Sequence, residues 1–124
     1  MSRGPPSHRA LAEAIPIARQ RGAIQVAGRG PEKLYDFAIV SVLPVVFVRV
    51  SYCAHIHAPV AELAGEFKDS LDRLRRITKH ESISRELWLR SRHGTWRFFR
   101  LIAECLIELG RDGQPLAGKN AASV

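Results

Sequence analysis

The stretch YDFAIVSVLPVVFVRV, residues 35–50, is the most apolar part of the chain and decides its fold. β-Branched and aromatic residues form two runs here, LYDFAIVSV and VVFVRVSY, on either side of Leu43-Pro44. Such runs predict the two strands of a hairpin, and their near-continuous apolarity is typical of a sheet covered on both faces. The apolar run is shorter than the ~20 residues of a membrane helix and contains Pro44, so we expect no membrane segment.

Upstream of this hairpin, the sequence predicts one helix and one short strand. The helix covers HRALAEAIPIARQRG, follows Ser7 and ends at Gly22. We expect Pro16 to kink or break it, because proline lacks a backbone donor and crowds the preceding turn. The residues AIQVA at 23–27 then predict a strand, and GRGPEK predicts a turn-forming connection.

Downstream of the hairpin, apolar residues spaced by three and four from Val60 to Ile77 predict a second helix that begins at Pro59. ISRELWLRS and TWRFFRLI predict a second hairpin that turns at Gly94, and CLIELG can add one more strand. The order is therefore α-β-β-β-α-β-β, with room for one further strand. A mixed sheet flanked by two helices, of the α/β (α+β) class, buries the apolar faces of these elements.

The chain has the length and composition of one globular domain. Its 124 residues are 46% hydrophobic and 25% charged. We place the domain at residues 7–110, with flexible tails at 1–6 and 111–124. Export is not expected, because MSRGPPSHRA lacks an apolar segment, and Cys53 and Cys105 are then reduced thiols of a cytoplasmic protein.

The chain is basic, with 19 lysines and arginines against 12 acidic residues and a net charge of +7. This charge favours an acidic partner such as nucleic acid, although a merely solubilising surface has the same composition.

One acidic and one basic side chain stand out in the apolar hairpin. Side chains two apart in a strand share a face, which groups Phe47, Arg49 and Ser51. Antiparallel pairing about Leu43-Pro44 sets Asp36 roughly opposite Arg49. Two interpretations remain open: a structural ion pair at a strand end, or the remnant of a catalytic centre.

The element order, with Asp36 on one central strand and FVRV on the next, resembles the PD-(D/E)xK superfamily, the restriction-endonuclease-like fold that includes Holliday junction resolvases. YDF, VFVRV and SRELWLRSRHGTWRFFRLI are also similar to short uncharacterised archaeal proteins. In the superfamily, two carboxylates hold Mg²⁺ and a lysine stabilises the attacking or leaving oxygen. The resemblance implies that Asp36 is a metal ligand and that Arg49 stands in the lysine position.

The chain departs from this pattern at Phe47, which falls where the second carboxylate would stand. Glu13 on the first helix is a weaker candidate for that carboxylate, and equally a surface residue. Arg49 cannot act as a base because it stays protonated near neutral pH. We therefore expect a degenerate site with little or no hydrolysis of phosphodiesters; an active enzyme would use Mg²⁺.

The second hairpin, RELWLRSRHGTWRFFRL, combines aromatic and basic residues. Arginine forks bind phosphate and aromatic rings stack on unpaired bases, so the hairpin predicts a nucleic-acid surface. Its candidate arginines are Arg85, Arg90, Arg92, Arg97 and Arg100. The alternative is a non-catalytic protein-interaction module or homodimer, anchored by Trp88 and Trp96.

The segment YCAHIH offers Cys53, His55 and His57 at alternate positions. In an extended strand these side chains would share one face and suit Zn²⁺. Exposed histidines beside a buried thiol would give the same sequence, so both interpretations stay open.

Overall fold

The computed structural model describes residues 8–28, 30, 33–103, 105–116 and 122–123. Its centre is a seven-stranded sheet in which the strands lie side by side in chain order. The strands are β1 (Ala23–Val26), β2 (Phe37–Val40), β3 (Val45–Tyr52), β4 (Ile83–Arg90), β5 (Trp96–Ile102), β6 (Cys105–Leu109) and the two-residue β7 (Ala122–Ser123). The helices are α1 (His8–Arg19), α2 (Val60–Glu66) and α3 (Lys68–Arg75).

The sheet is mixed. β3 and β4 run parallel because α2 and α3 connect them, and every other neighbouring pair is antiparallel. The expectation of a mixed α+β sheet is confirmed, and so are the hairpins at Leu43-Pro44 and Gly94. No helix in the described part of the chain is long and apolar enough to cross a bilayer.

Helices cover both faces of the sheet, which explains why its central strands are apolar on both sides. On one face α1 packs with Ala14 and Ala18 against Val48 and Trp88. On the other face α2 and α3 bury a second cluster. Its members include Leu63, Phe67, Leu71, Leu74, Leu87, Leu89 and Phe99. Alternate residues of β3 and β4 therefore point to opposite helices.

The break expected as one outcome at Pro16 does not occur, since α1 runs continuously through that residue. The carbonyl that loses its donor there belongs to Ala12, on the exposed side of the helix. The predicted second helix is two helices, because Phe67 adopts φ −104° and ψ 28° between α2 and α3. Phe67 nevertheless stays buried and keeps backbone bonds to Leu63 and Leu71, so the apolar spacing continues across the junction.

Part of the segment assigned to the C-terminal tail is folded. Arg100 Nη2 donates to Gly113 O at 2.7 Å, and Leu116 N–H donates to Glu108 O at 3.1 Å. β7 then pairs with β6. Residues 1–6 and 117–121, also assigned to the tails, lie outside the described residues.

Candidate functional site

Asp36 stands immediately before β2 and is held from both sides. Its backbone N–H donates to Val48 O at 2.7 Å, and its Oδ2 accepts a hydrogen bond of 2.6 Å from Val50 N–H. Its Oδ1 forms an ion pair of 3.0 Å with Lys33 Nζ. The side chain is 1% exposed. Oδ2 is therefore hydrogen-bonded inside the protein, whereas buried Oδ1 is paired with the Lys33 charge and accepts no hydrogen bond from the described residues.

Arg49 lies opposite Asp36, as the alternation of the hairpin predicts, because the register pairs Phe37 with Val48. The guanidinium does not bond to the carboxylate directly; its Nη1 donates to Lys33 O at 3.3 Å. Its Nε is buried without a partner in the described part of the chain. The pKa of Arg49 is lowered, chiefly by burial and further by Arg73, against the opposing charge of Asp36.

Helix α3 adds two arginines to this region, Arg73 beside Arg49 and Arg75 near Arg85. Arg73 Nη1 donates to Lys33 O at 3.2 Å, the same acceptor that Arg49 uses, so the two guanidinium groups are neighbours. Arg75 Nη1 pairs with Asp72 at 2.8 Å, while its Nη2 is buried without a partner among the described residues. Like charges held this close repel each other unless an anion lies between them.

Strand β4 contributes Arg85, which lies next to Phe47 in the parallel register and points to the α3 face. It is 7% exposed, and within the described residues its guanidinium has no hydrogen bond or ion pair. Burial and the positive charge of Arg75 lower the pKa of Arg85. We call Lys33, Arg49, Arg73, Arg75 and Arg85 the basic cluster.

Among the described residues, the basic cluster has more positive than negative charge. Asp36 is occupied by Lys33, and Asp72 is shared by Lys68 and Arg75. Arg49 and Arg85 thus have no direct carboxylate partner in the described part of the chain, and Arg49 Nε is fully buried. A buried cation without a counter-charge is costly, and guanidinium groups bind oxyanions with paired hydrogen bonds. The arrangement is suited to binding an oxyanion.

The same region does not fit Mg²⁺. Phe47 is half-buried with its ring edge against Tyr35, at 4.8 Å between centroids, where a second carboxylate would be needed. The described residues contain no group of three or more side chains that could hold a metal. Mg²⁺ requires several oxygen ligands, and Asp36 alone, already paired with Lys33, does not supply them.

Glu13 is bound elsewhere. Both its oxygens accept hydrogen bonds of 2.9 Å from Arg90, on the face of the sheet that α1 covers. The hydrogen bond from Arg90 is the main reason that the pKa of Glu13 is lowered. Glu13 therefore does not complete a site with Asp36.

The hairpin of β4 and β5 does not present its arginines as one free surface. Arg90 is bound to Glu13, and Arg97 makes a bidentate pair with Glu108 at 2.9 and 2.7 Å. Arg100 donates to Gly113 O, whereas Arg92 alone of this set is exposed. For Arg90, Arg97 and Arg100 the expectation of a phosphate-binding hairpin needs correction, because these side chains bind internal carboxylates and carbonyls; for Arg85 and Arg92 it stays a prediction.

Trp88 and Trp96 are not exposed together as partner anchors. Trp88 is fully buried, and half-buried Trp96 stacks on Phe98 at 5.9 Å between centroids. The anchoring role expected for these side chains is therefore wrong.

Cys53, His55 and His57 are not brought together. β3 ends at Tyr52, and the residues that follow form a turn. Cys53 is buried beneath α2, while His55 and His57 face solvent. The extended geometry that a zinc site would need is absent from this described segment.

Sequence reasoning identified Asp36, Arg49 and Arg85 but missed the contribution of α3. Arg73 and Arg75 look like ordinary charges on the polar side of an amphipathic helix. A useful signal was the order of elements: a helix that connects parallel strands must cover one face of the sheet. Arg49 points to the face of the sheet that α3 covers, so a cation in the last turn of α3 lies close to Arg49.

Comparison with known proteins adds no family to this description. A scan against protein-family models, a search of curated proteins and a search of solved structures each found no match to the chain. The fold and the site define it as a mixed α+β domain with a buried carboxylate beside a basic cluster.

Proposed function

We propose that the protein binds the phosphate backbone of nucleic acid through the basic cluster, without hydrolysing it, on a scaffold of the restriction-endonuclease-like type. The observation that carries the proposal is that Arg49 and Arg85, at 8% and 7% exposure, have no direct carboxylate partner in the described chain. The strand order, the parallel β3–β4 pair and the position of Asp36 opposite Arg49 support the choice of scaffold.

Nucleic acid is favoured over a single small anion by the spread of the cations. They come from the segment before β2, from β3, from α3 and from β4, and we propose that Arg49 with Arg73, and Arg85 with Arg75, contact neighbouring phosphates. The net charge of +7 adds long-range attraction for a polyanion. Contacts with phosphate groups position the nucleic-acid backbone on the protein and do not distinguish one base sequence from another.

Hydrolysis is not part of the proposal, because no residue of the cluster is suited to activate water. Asp36 is hydrogen-bonded to Val50 N–H and paired with Lys33, and Phe47 occupies the place of the second carboxylate. Arginine remains protonated and cannot accept a proton near neutral pH.

Fluorescence anisotropy with labelled single-stranded, duplex and branched DNA and RNA, at several salt concentrations, tests the proposal. Arg85→Gln is expected to weaken binding about fivefold to tenfold and to reduce the slope of log K against log salt by about 1. Arg92→Gln removes the same charge from an exposed hairpin tip and serves as the matched control, with a smaller effect.

Absence of binding at low salt would refute the proposal. Equal losses in Arg85→Gln and Arg92→Gln would refute the assignment of binding to the cluster, because net charge alone would then explain the effect. Circular dichroism of each variant excludes unfolding as the cause.

A protein-interaction module on the same scaffold is the second candidate. It is favoured by exposed apolar side chains at and next to the β2–β3 turn: Val40, Val42 and Leu43. Exposed apolar patches of this kind commonly mark contact surfaces. Sedimentation velocity of the wild type and of Val42→Asp tests for a homodimer: a mass that falls to the monomer value in the variant supports it.

A further inference from the structure

A second site lies on the opposite face of the sheet from the basic cluster. A cavity of about 420 Å³ opens between the end of α1, the β2–β3 turn and residues 111–114. Ile39, Pro44 and Val46 form its apolar wall. Ile39 and Val46 belong to the core beneath α1, whereas the basic cluster lies towards α3. The two sites are therefore separated by the sheet.

A buried carboxylate, Glu86, fixes one of the side chains that line the cavity, Arg21. Glu86 is 0% exposed and accepts paired hydrogen bonds of 2.9 and 2.8 Å from Arg21. Trp88 Nε1–H donates to the same carboxylate at 2.9 Å. These contacts satisfy Glu86 and fix the Arg21 side chain against the cavity.

Positive charge remains on the two other arginines that line the cavity. Arg100 Nη2 donates to Gly113 O at 2.7 Å and approaches Glu86 only to 3.6 Å, while its Nε is buried without a partner in the described part of the chain. Arg111 lies over the Phe98 ring at 5.9 Å and has no carboxylate partner among the described residues. Nearby Asp112 accepts a hydrogen bond from Gln114 N–H at 3.0 Å.

We propose that this cavity binds a small organic phosphate monoester, with its phosphate group at Arg100 and Arg111 and its organic body against Ile39, Pro44 and Val46. The volume is in the range of small-molecule pockets and larger than inorganic phosphate needs. A phosphate monoester has three terminal oxygens and nearly two negative charges, so it can accept from both guanidinium groups at once. A carboxylate has two oxygens and one charge, and satisfies this donor set less well.

Isothermal titration calorimetry with AMP tests the proposal, with adenosine, inorganic phosphate and benzoate as comparison ligands. AMP is expected to bind with a Kd below about 1 mM, and each comparison ligand at least about tenfold more weakly, because each lacks the phosphate, the organic body or the second charge. Arg111→Gln removes an exposed cation, and Ser41→Tyr narrows the cavity without a change of charge. Both variants are expected to weaken AMP binding about tenfold.

Two further variants distinguish this cavity from other basic surfaces. Arg92→Gln changes an exposed charge away from the cavity, and Arg85→Gln changes the basic cluster on the other face. Neither is expected to alter AMP affinity. Loss of AMP binding in Arg85→Gln would transfer the ligand to the basic cluster and overturn the proposal. It would also be overturned by an absence of heat with AMP, by inorganic phosphate or adenosine binding as tightly as AMP, or by tighter binding of benzoate.

Discussion

At the scale of single residues, the Asp36 side chain accepts a hydrogen bond from a strand N–H group, as a backbone carbonyl does elsewhere in a sheet. Its Oδ2 accepts from Val50 N–H, and its Oδ1 neutralises Lys33. A carboxylate in this position stabilises the start of β2 whether or not it ever bound a metal. A structural role for Asp36 is therefore compatible with the alternative hypothesis that the residue is the remnant of a catalytic centre.

Replacement of Asp36 should show the structural contribution directly. We expect Asp36→Ala to lower the free energy of unfolding by about 2–3 kcal/mol, because Val50 N–H is left buried without an acceptor. Asp36→Asn keeps an acceptor and loses only the charge, so its cost should be about 1 kcal/mol. Urea denaturation measures both values, and exposed Asp69→Asn is the control, with a change within about 0.5 kcal/mol. An Asp36→Ala variant as stable as the control would contradict this account.

Glu13 gives a prediction about pH. Its pKa is lowered in the folded protein, mainly by the hydrogen bond from Arg90, so the unfolded chain binds the proton more readily. The pair therefore stabilises the fold above the ordinary glutamate pKa, and this contribution is lost as the pH falls through the lowered pKa of the folded state.

The measurement is the urea midpoint of wild type and Glu13→Gln across a pH series. We expect the wild type to be more stable at neutral pH and the difference to vanish in acid. Glu62→Gln, at an exposed residue without an ion pair in the described chain, should show no such trend. A difference that grows as the pH falls would mean that Arg90 does not stabilise the Glu13 carboxylate.

At the scale of elements, the sequence predicts hairpins better than helix ends. Runs of β-branched and aromatic residues around Leu43-Pro44 and Gly94 specify turn and strands locally, and both hairpins occur. The division at Phe67 was not predicted, because the apolar spacing that fits the core continues through it. The folded segment at 111–116 was missed for another reason: its bonds come from Arg100 and Glu108, which only the sheet brings near.

Glycines in different elements should respond oppositely to alanine. Gly65 is exposed in α2, and an added Cβ meets nothing within 4 Å. We expect Gly65→Ala to stabilise the protein by about 0.5–1 kcal/mol, since alanine restricts the unfolded chain and favours helix. At Gly22 the Cβ would lie 2.8 Å from Val40 O, so Gly22→Ala should cost about 1–3 kcal/mol. Thermal denaturation of both variants compares them, and equal effects would mean that the close approach of Gly22 to β2 does not occur.

At the scale of the whole molecule, the candidate site shows where sequence reasoning stops. The pairing of Asp36 with Arg49 follows from alternation and one turn, so it could be predicted. The engagement of Arg90 could not, because its carboxylate partner Glu13 lies on α1, far away in sequence, and the pairing of Arg97 with Glu108 required the register between β5 and β6. Charge counted along the chain says nothing about which cations are already paired; the three-dimensional contacts decide that.

The proposed relation to metal-dependent nucleases can be tested by introducing a second carboxylate at position 47. Asp36 and Phe47 lie diagonally across β2 and β3 on one face, where two carboxylates could reach one ion. If the two positions form a metal site, Phe47→Glu should bind Mn²⁺ at least about tenfold more tightly than the wild type, because a second carboxylate adds oxygen ligands and negative charge; a carboxylate that pairs with neighbouring Arg49 or Arg85 instead gives no gain. Calorimetric titration with Mn²⁺ measures the gain.

Two controls determine whether the gain comes from a shared site. Phe47→Gln has the same size and polarity as Phe47→Glu without the charge, and should bind Mn²⁺ no better than the wild type. Adding Asp36→Asn to Phe47→Glu should abolish the gain, because one carboxylate beside Lys33 and Arg49 is a poor ligand set for a divalent cation. If Phe47→Glu gains nothing, or gains equally with and without Asp36, the two positions do not form a metal site. The proposed relation of this hairpin to restriction-endonuclease-like proteins would then lose its chemical support, while the proposed binding of phosphate by the basic cluster would stand on its own test.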